Sequence, residues 1–196
     1  MDVERLRVGA DGQRRCSWCG DDELYTRYHD TEWGRALHGE NRVFEKIVLE
    51  GMQAGLSWIT ILRKRENFRS AFAGFDIERV ARFGDSDRAR LLSDAGIVRN
   101  RAKVDAAISN AQTAERLLAS GGSLDALCWS FAPPPRGHLV RNDDPILPST
   151  PESKALSKEL LRIGFRFVGP TTMYAFMQSA GMVNDHIDGC EFSGYS

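Results

Sequence analysis

Five residues of soft metal-ligand type lie near the two ends of the chain: Cys16, Cys19 and His29 at one, His186 and Cys190 at the other. A closed structural zinc site takes four such ligands. Two tetrads fit: Cys16, Cys19, His186 and Cys190, or Cys16, His29, His186 and Cys190 with Cys19 left over. The plain alternative is no metal, with buried cysteines and surface histidines. A thiol-redox reading of Cys16-x-x-Cys19 would want a βαβ setting, and the pattern described below offers none.

A second candidate is a carboxylate. Val43, Ile47, Glu50 and Ala54 share one face of a helical stretch, and Glu50 falls on the apolar stripe. A buried carboxylate needs a partner. Either Glu50 sits at the edge of the stripe in an ion pair, or it points into a pocket, where perturbed groups gather. Trp18, Tyr25, Tyr28, Trp33 and Trp58 crowd the first third of the chain. Each one alone reads as core packing. As a set beside Glu50, their flat faces suit a nucleobase, with stacking contributing about 1–3 kcal/mol per base in single-strand binders.

A third is the stretch LLSDAGIVRNRAKVDAAI, residues 91–108. It reads as helix, short glycine turn and helix. Amides around Gly96 and the next helix start could hold a phosphate, with Arg99, Arg101 and Lys103 adding charge. Such contacts position a protein on DNA without reading its sequence. Arg63, Lys64 and Arg65 are further cations of this kind.

The elements that must carry these residues are helical. Apolar residues recur at helical spacing in RVFEKIVLEGMQA and LSWITILRKRENFRSAF, with a break near Gly55. IERVARF and DSDRARLLSDAG make two short helices, the second capped by Asp85 or Ser86 and ended near Gly96. RNRAKVDAAISNAQTAERLLAS is a long amphipathic helix, and SLDALCWSF a short one. Five of the seven prolines fall within residues 133–148, in the irregular segment APPPRGHLVRNDDPILPS. Thr150-Pro151 then caps ESKALSKELLRIG, and PTTMYAFMQSAG forms a last helix. Nothing alternates with period two for long, so the expected fold is all-α. The expected organisation is a loose tail over 1–13, a lobe built from 14–36 and 131–196, and a helical lobe over 37–130.

With 196 residues, 42% apolar, the chain can bury a core without staples. Its formal charge of −1 gives no global sign of a nucleic-acid binder. The acidic, polar start is unlike a signal peptide, and no apolar run reaches the ~18 residues of a membrane span. The expectation is a soluble, cytoplasmic monomer.

Taken together, YHDTEWG, LEGMQAGLSWITILRKRENFR, DAGIVRNRAKVDAAISNA, SKALSKELLRIGFRFVG and MQSAGMVNDH resemble the type I 3-methyladenine-DNA glycosylases of bacteria. These are compact all-α members of the helix-hairpin-helix glycosylase superfamily. The resemblance runs from about Cys16 to Cys190. It implies one structural zinc held by Cys16, His29, His186 and Cys190, clasping the chain ends. It implies that Glu50 hydrogen-bonds the lesion base, that Tyr28 and Trp58 contact or stack on it, and that Trp18, Tyr25 and Trp33 line the pocket. It implies that the hairpin at Gly96 grips the backbone of double-stranded DNA and that Gly55-Leu56 fills the gap left by a flipped base.

Two positions depart from that pattern. Cys19 has no place in the tetrad, and Met52 stands where the family favours Gln, which bears on packing beneath the pocket. The implied reaction is hydrolytic release of 3-methyladenine with no lyase step; neither a catalytic Asp nor a Lys nucleophile occurs between Gly164 and Phe176. The competing class is a zinc-containing lesion-binding protein without catalysis.

Overall fold

The computed structural model describes residues 4–194. Among them are nine α-helices and one small hairpin. The central helix is α2, Glu40–Gln53, which buries Val43, Phe44, Ile47, Val48, Leu49 and Met52. It packs against α3 (Trp58–Ala71), α6 (Arg101–Ala119), α7 (Leu124–Trp129) and α9 (Pro170–Ser179). A helix apolar on so much of its surface has to lie inside. Burying each Leu, Ile or Phe here contributes about 1.5–3 kcal/mol. The core is continuous from Tyr28 to Met182.

Local chemistry sets the helix starts. Asp22 accepts the Tyr25 amide and opens α1, Glu23–Thr31. Asn100 accepts the Lys103 amide at the start of α6. Thr150 and Ser153 cap each other ahead of Pro151 in α8, Pro151–Ile163. Glu40 accepts the Leu124 and Asp125 amides, so one carboxylate serves the start of α7 from another helix. The two short helices are α4 (Ile77–Ala81) and α5 (Asp85–Ser93).

Several expectations need correction. Helix α5 is capped at Gly84, whose N–H donates to Asp87, so Asp85 and Ser86 are already helical. Gly96 does not adopt a left-handed turn. It is small because a Cβ there would lie 3.2 Å from the Asn67 side chain on α3. The loose tail is shorter than 1–13: β1 (Leu6–Val8) pairs antiparallel with β2 (Arg14–Cys16). Leu6 then packs on Cys16, Ile187 and Cys190, and this apolar contact is what orders it. Residues 1–3 of that tail lie outside the described residues. No helix is expected over 23–31, yet α1 forms there and presents Tyr25, Tyr28 and His29.

The proline-rich segment 132–149 is irregular, as its composition dictates. It is tied down by the Val140–Ile187 bridge and by the Arg5 amide donating to Asn142. No helix among the described residues is long and apolar enough to cross a membrane.

Candidate functional site

The chain ends meet in a buried Cys–His cluster. Ligand atoms of Cys16, His29 and Cys190 all lie within 4.8 Å of one another. His29 Nε2 faces Cys190 Sγ at 3.6 Å, and its Nδ1 is 2.8 Å from Asp30 Oδ1. A histidine that donates from Nδ1 to a carboxylate keeps Nε2 as a lone-pair nitrogen, the usual arrangement behind a metal. Asp30 is itself held by Arg15.

His186 stands beside this triad, its ring centroid 5.1 Å from that of His29. Its Nδ1 lies 2.9 Å from Asn184 Oδ1, while its Nε2 is buried with no partner. Burial pulls its pKa down to about 4, so the ring is neutral at pH 7. An orphaned buried nitrogen costs about 1–3 kcal/mol, and a metal beside the triad would relieve that. The hydrogen bond from Cys16, with help from His29, pulls Cys190 down against burial, while Cys16 is pushed up. The donor set fits a four-coordinate soft metal.

Cys19 is buried, but its Sγ donates to the Cys16 carbonyl at 3.1 Å and stays out of the cluster. The tetrad containing Cys19 is therefore disfavoured. Gly34 closes the cluster from one side: its φ is +74°, and a Cβ there would meet the His186 ring at 2.7 Å.

Immediately behind the cluster stand the aromatics. Trp33 packs edge-on against His186 at 4.6 Å, and Trp18 against His29 at 5.3 Å. Trp18 also meets Trp33 at 4.9 Å and Tyr25 at 5.1 Å. Tyr28 and Trp58 are 5.5 Å apart. All five rings, with Glu50, line one open cavity of about 1200 Å³. These six residues fall within one third of the chain, and the fold gathers them around one cavity.

Glu50 is 4% exposed and accepts a 2.8 Å hydrogen bond from Ser179 Oγ on α9. Burial lifts its pKa to about 7, with Lys46 and Ser179 pulling the other way. The carboxyl is therefore poised near neutrality. Burial, reinforced by Glu50, pushes Tyr28 well above its usual value, and burial carries Tyr25 to about 12, so both are neutral phenols. Trp58 Nε1 is buried without a partner among the described residues. The lining also includes Tyr174, Gln178 and Asp185, which no sequence pattern marks. Tyr174 and Gln178 both donate to Asp185, which also pairs with Arg136. Asp185 stands next to His186 in MQSAGMVNDH.

Met52 does not touch this cavity. Its side chain is buried beside a separate gap of about 10 Å³, smaller than or close to the room one water needs.

The hairpin is fixed from α3, where Lys64 donates to the Ala95 carbonyl and Asn67 to that of Gly96. Arg99 and Arg101 are exposed. Lys103 is not: it is 8% exposed and donates to the carbonyls of Met52 and Ala54 at 2.9 and 2.6 Å. Its charge sits at the C-terminal end of α2, where unpaired carbonyls gather, and not at the surface. Arg63 pairs with Asp22, and Arg65 makes a two-pronged pair with Glu32. Beyond α2 the chain turns at Gly55 (φ +78°) and leaves Leu56 42% exposed.

The methyladenine glycosylase family model matches residues 18–193. DNA-3-methyladenine glycosylase 1 of Escherichia coli (strain K12) is 46% identical over 177 residues, covering 90% of this chain and 95% of its own. A crystal structure of a 3-methyladenine DNA glycosylase I superposes with a TM-score of 0.87 at 48% identity, covering 90% of this chain and 98% of that one. A Staphylococcus aureus 3-methyladenine DNA glycosylase I, whose structure concerns 3-methyladenine recognition, gives 0.86 at 33% identity over 93% and 97%. An aromatic cavity with a buried carboxylate, a Cys–His cluster joining the chain ends, and similarity along nearly the whole length converge: this chain belongs to the methyladenine glycosylase family.

Proposed function

We propose that this protein takes alkylated adenine out of double-stranded DNA and releases 3-methyladenine by hydrolysis, without a lyase step. The observation that carries this is Glu50, a buried carboxyl poised near pH 7 at the wall of a cavity faced by five aromatic rings. Methylation at N3 leaves the adenine in DNA cationic. The base departs as a neutral molecule, so its glycosidic bond is weak from the start and the protein has little to add.

Extraction costs a few kcal/mol, less at a damaged base. The faces of Tyr28 and Trp58 favour a cation. Glu50 accepts a hydrogen bond from the exocyclic amine, and its charge favours the cationic lesion over adenine. A carboxylate that holds the cation also resists its loss, since only tighter binding of the transition state speeds the reaction. Glu50 therefore serves recognition first. Arg99 and Arg101 meet phosphates beside the lesion, and exposed Leu56 fills the gap in the duplex.

Cys16, His29, His186 and Cys190 hold one zinc ion, which when bound supplies a structural tie and no chemistry. Cys16 and Cys190 are 174 positions apart. Closing such a loop costs about 4–5 kcal/mol of chain entropy, and structural zinc in finger peptides contributes about 10–16 kcal/mol. The tie fixes Trp18 and Trp33 because their rings rest on its histidines. It also joins residues 14–36 to 131–196 as one lobe around the helices of 37–130.

The test is base release. Dimethyl-sulfate-treated duplex is incubated with the protein and the free bases are separated by chromatography. A 3-methyladenine peak without 7-methylguanine is the expected result. A folded, metal-loaded protein that releases no base would refute hydrolysis.

A further inference from the structure

We propose that Lys46 is a positioning residue of the lesion pocket: a built-in counter-cation that keeps Glu50 a carboxylate from behind the aromatic wall. This rests on the reading of Glu50 as the group that recognises a cationic base. Lys46 lies one helical turn before Glu50 on α2 and is 8% exposed. Its Nζ sits 5.2 Å from the Tyr28 ring centroid and 5.4 Å from that of Trp58. Tyr28, Trp58 and Glu50 all line the base cavity, and Lys46 does not. The ammonium therefore backs the wall without occupying the place of the base.

A lysine in such a position wants a reason, because burial disfavours its charge. Among the described residues Nζ has no hydrogen bond and no ion pair. What holds it is the two ring faces and the field of nearby carboxylates, Glu50 foremost, then Glu32 and Glu45, opposed by Arg65. Arg65 and Glu32 are committed to each other at 2.5 and 2.9 Å. That leaves Lys46 as the cation for Glu50. The other groups facing Glu50 are Ser179 on α9 and Tyr25 and Tyr28 on α1, none of them charged near neutral pH. Without Lys46, burial would carry Glu50 further up and leave it neutral where the enzyme works, with only a weak hold on a cation.

Base release is measured from pH 5.5 to 8.5 for the wild type, Lys46→Met and Lys46→Arg. Met keeps the length and removes the charge. Its acid limb is expected to move up by about one pH unit or more, the ordinary effect of losing an opposite charge at close range. Release then falls roughly tenfold at pH 6.5 and recovers by pH 8.5, while Lys46→Arg stays near the wild-type profile. A lysine that only packs would lower release by the same factor at every pH, and that result overturns the proposal. In parallel, the Glu50 side-chain carboxyl is titrated by carbon-13 NMR in the wild type and in Lys46→Met. An unchanged midpoint overturns the proposal; an upward move supports it. If the wild type itself released no base, the functional reading would fail, and the NMR titration would still decide the role of Lys46.

Discussion

Replacing Glu50 by Gln should make the protein less active, and its stability relative to the wild type should rise with pH. In an unfolded chain the carboxyl titrates near 4.5; burial in the fold raises this to about 7. Between those values the native state binds a proton that the unfolded state has lost, so wild-type stability falls as pH rises through that window. At about 1.4 kcal/mol per pH unit, the difference amounts to about 3 kcal/mol. Below pH 4.5 the wild-type carboxyl is neutral in both states and this contribution vanishes. Glutamine never ionises and escapes the loss.

Terms specific to the amide, such as its fit beside Ser179, are the same at every pH and cancel in the comparison. The advantage of Glu50→Gln over wild type should therefore grow by about 3 kcal/mol from pH 4.5 to pH 8. For a chain of this size that is a change in relative Tm of roughly 6–12 °C, read by thermal denaturation at the two pH values. Base release should fall about 10- to 100-fold, since a hydrogen bond to a charged group contributes about 1.5–3 kcal/mol. A constant difference in Tm across pH would refute the claim that Glu50 is buried and strained toward neutrality. A loss of stability that grows with pH would refute its sign.

Other outcomes follow from the same geometry. Cys190→Ser should lose its zinc, read by elemental analysis, and lower Tm by roughly 10–20 °C, as expected for about 4–5 kcal/mol of lost closure; Cys19→Ser should keep its metal, because its thiol points away from the cluster. Trp58→Ala should weaken binding of free 3-methyladenine about 5- to 150-fold, measured by calorimetry, from the loss of one stacking face. Arg99→Ala and Arg101→Ala should each reduce the salt dependence of DNA binding by about one counterion, whereas Lys103→Met should leave that slope alone and lower Tm by freeing the carbonyls of Met52 and Ala54. Leu56→Ala should slow release from duplex more than from single strands, since only a duplex leaves a gap to fill.

Most helices were legible because their signals are local. Apolar spacing marked α2, α3 and α6, and Thr150-Pro151 marked the start of α8. The order of quoted stretches carried the family resemblance, and the chemistry-bearing types (Glu50, the five aromatics, the cysteines and histidines) were visible as residues. What sequence left open depended on distance in space. Whether Glu50 lay at an edge or in a pocket was settled by α9 bringing Ser179 against it across 129 positions. Which cysteine joined the cluster was settled by the backbone turn that aims Cys19 at the Cys16 carbonyl. Lys103 read as a surface cation because nothing local reveals that the end of α2 packs there. The role of Lys46 is hidden in the sequence for the same reason: helical spacing relates it to Glu50, but only tertiary packing sets Tyr28 and Trp58 beneath its charge. The sequence by itself determined which residues are helical and which could do chemistry, since both follow from near neighbours. The tertiary structure alone decided which charges are buried and beside what, and those two facts set every pKa on which this site depends.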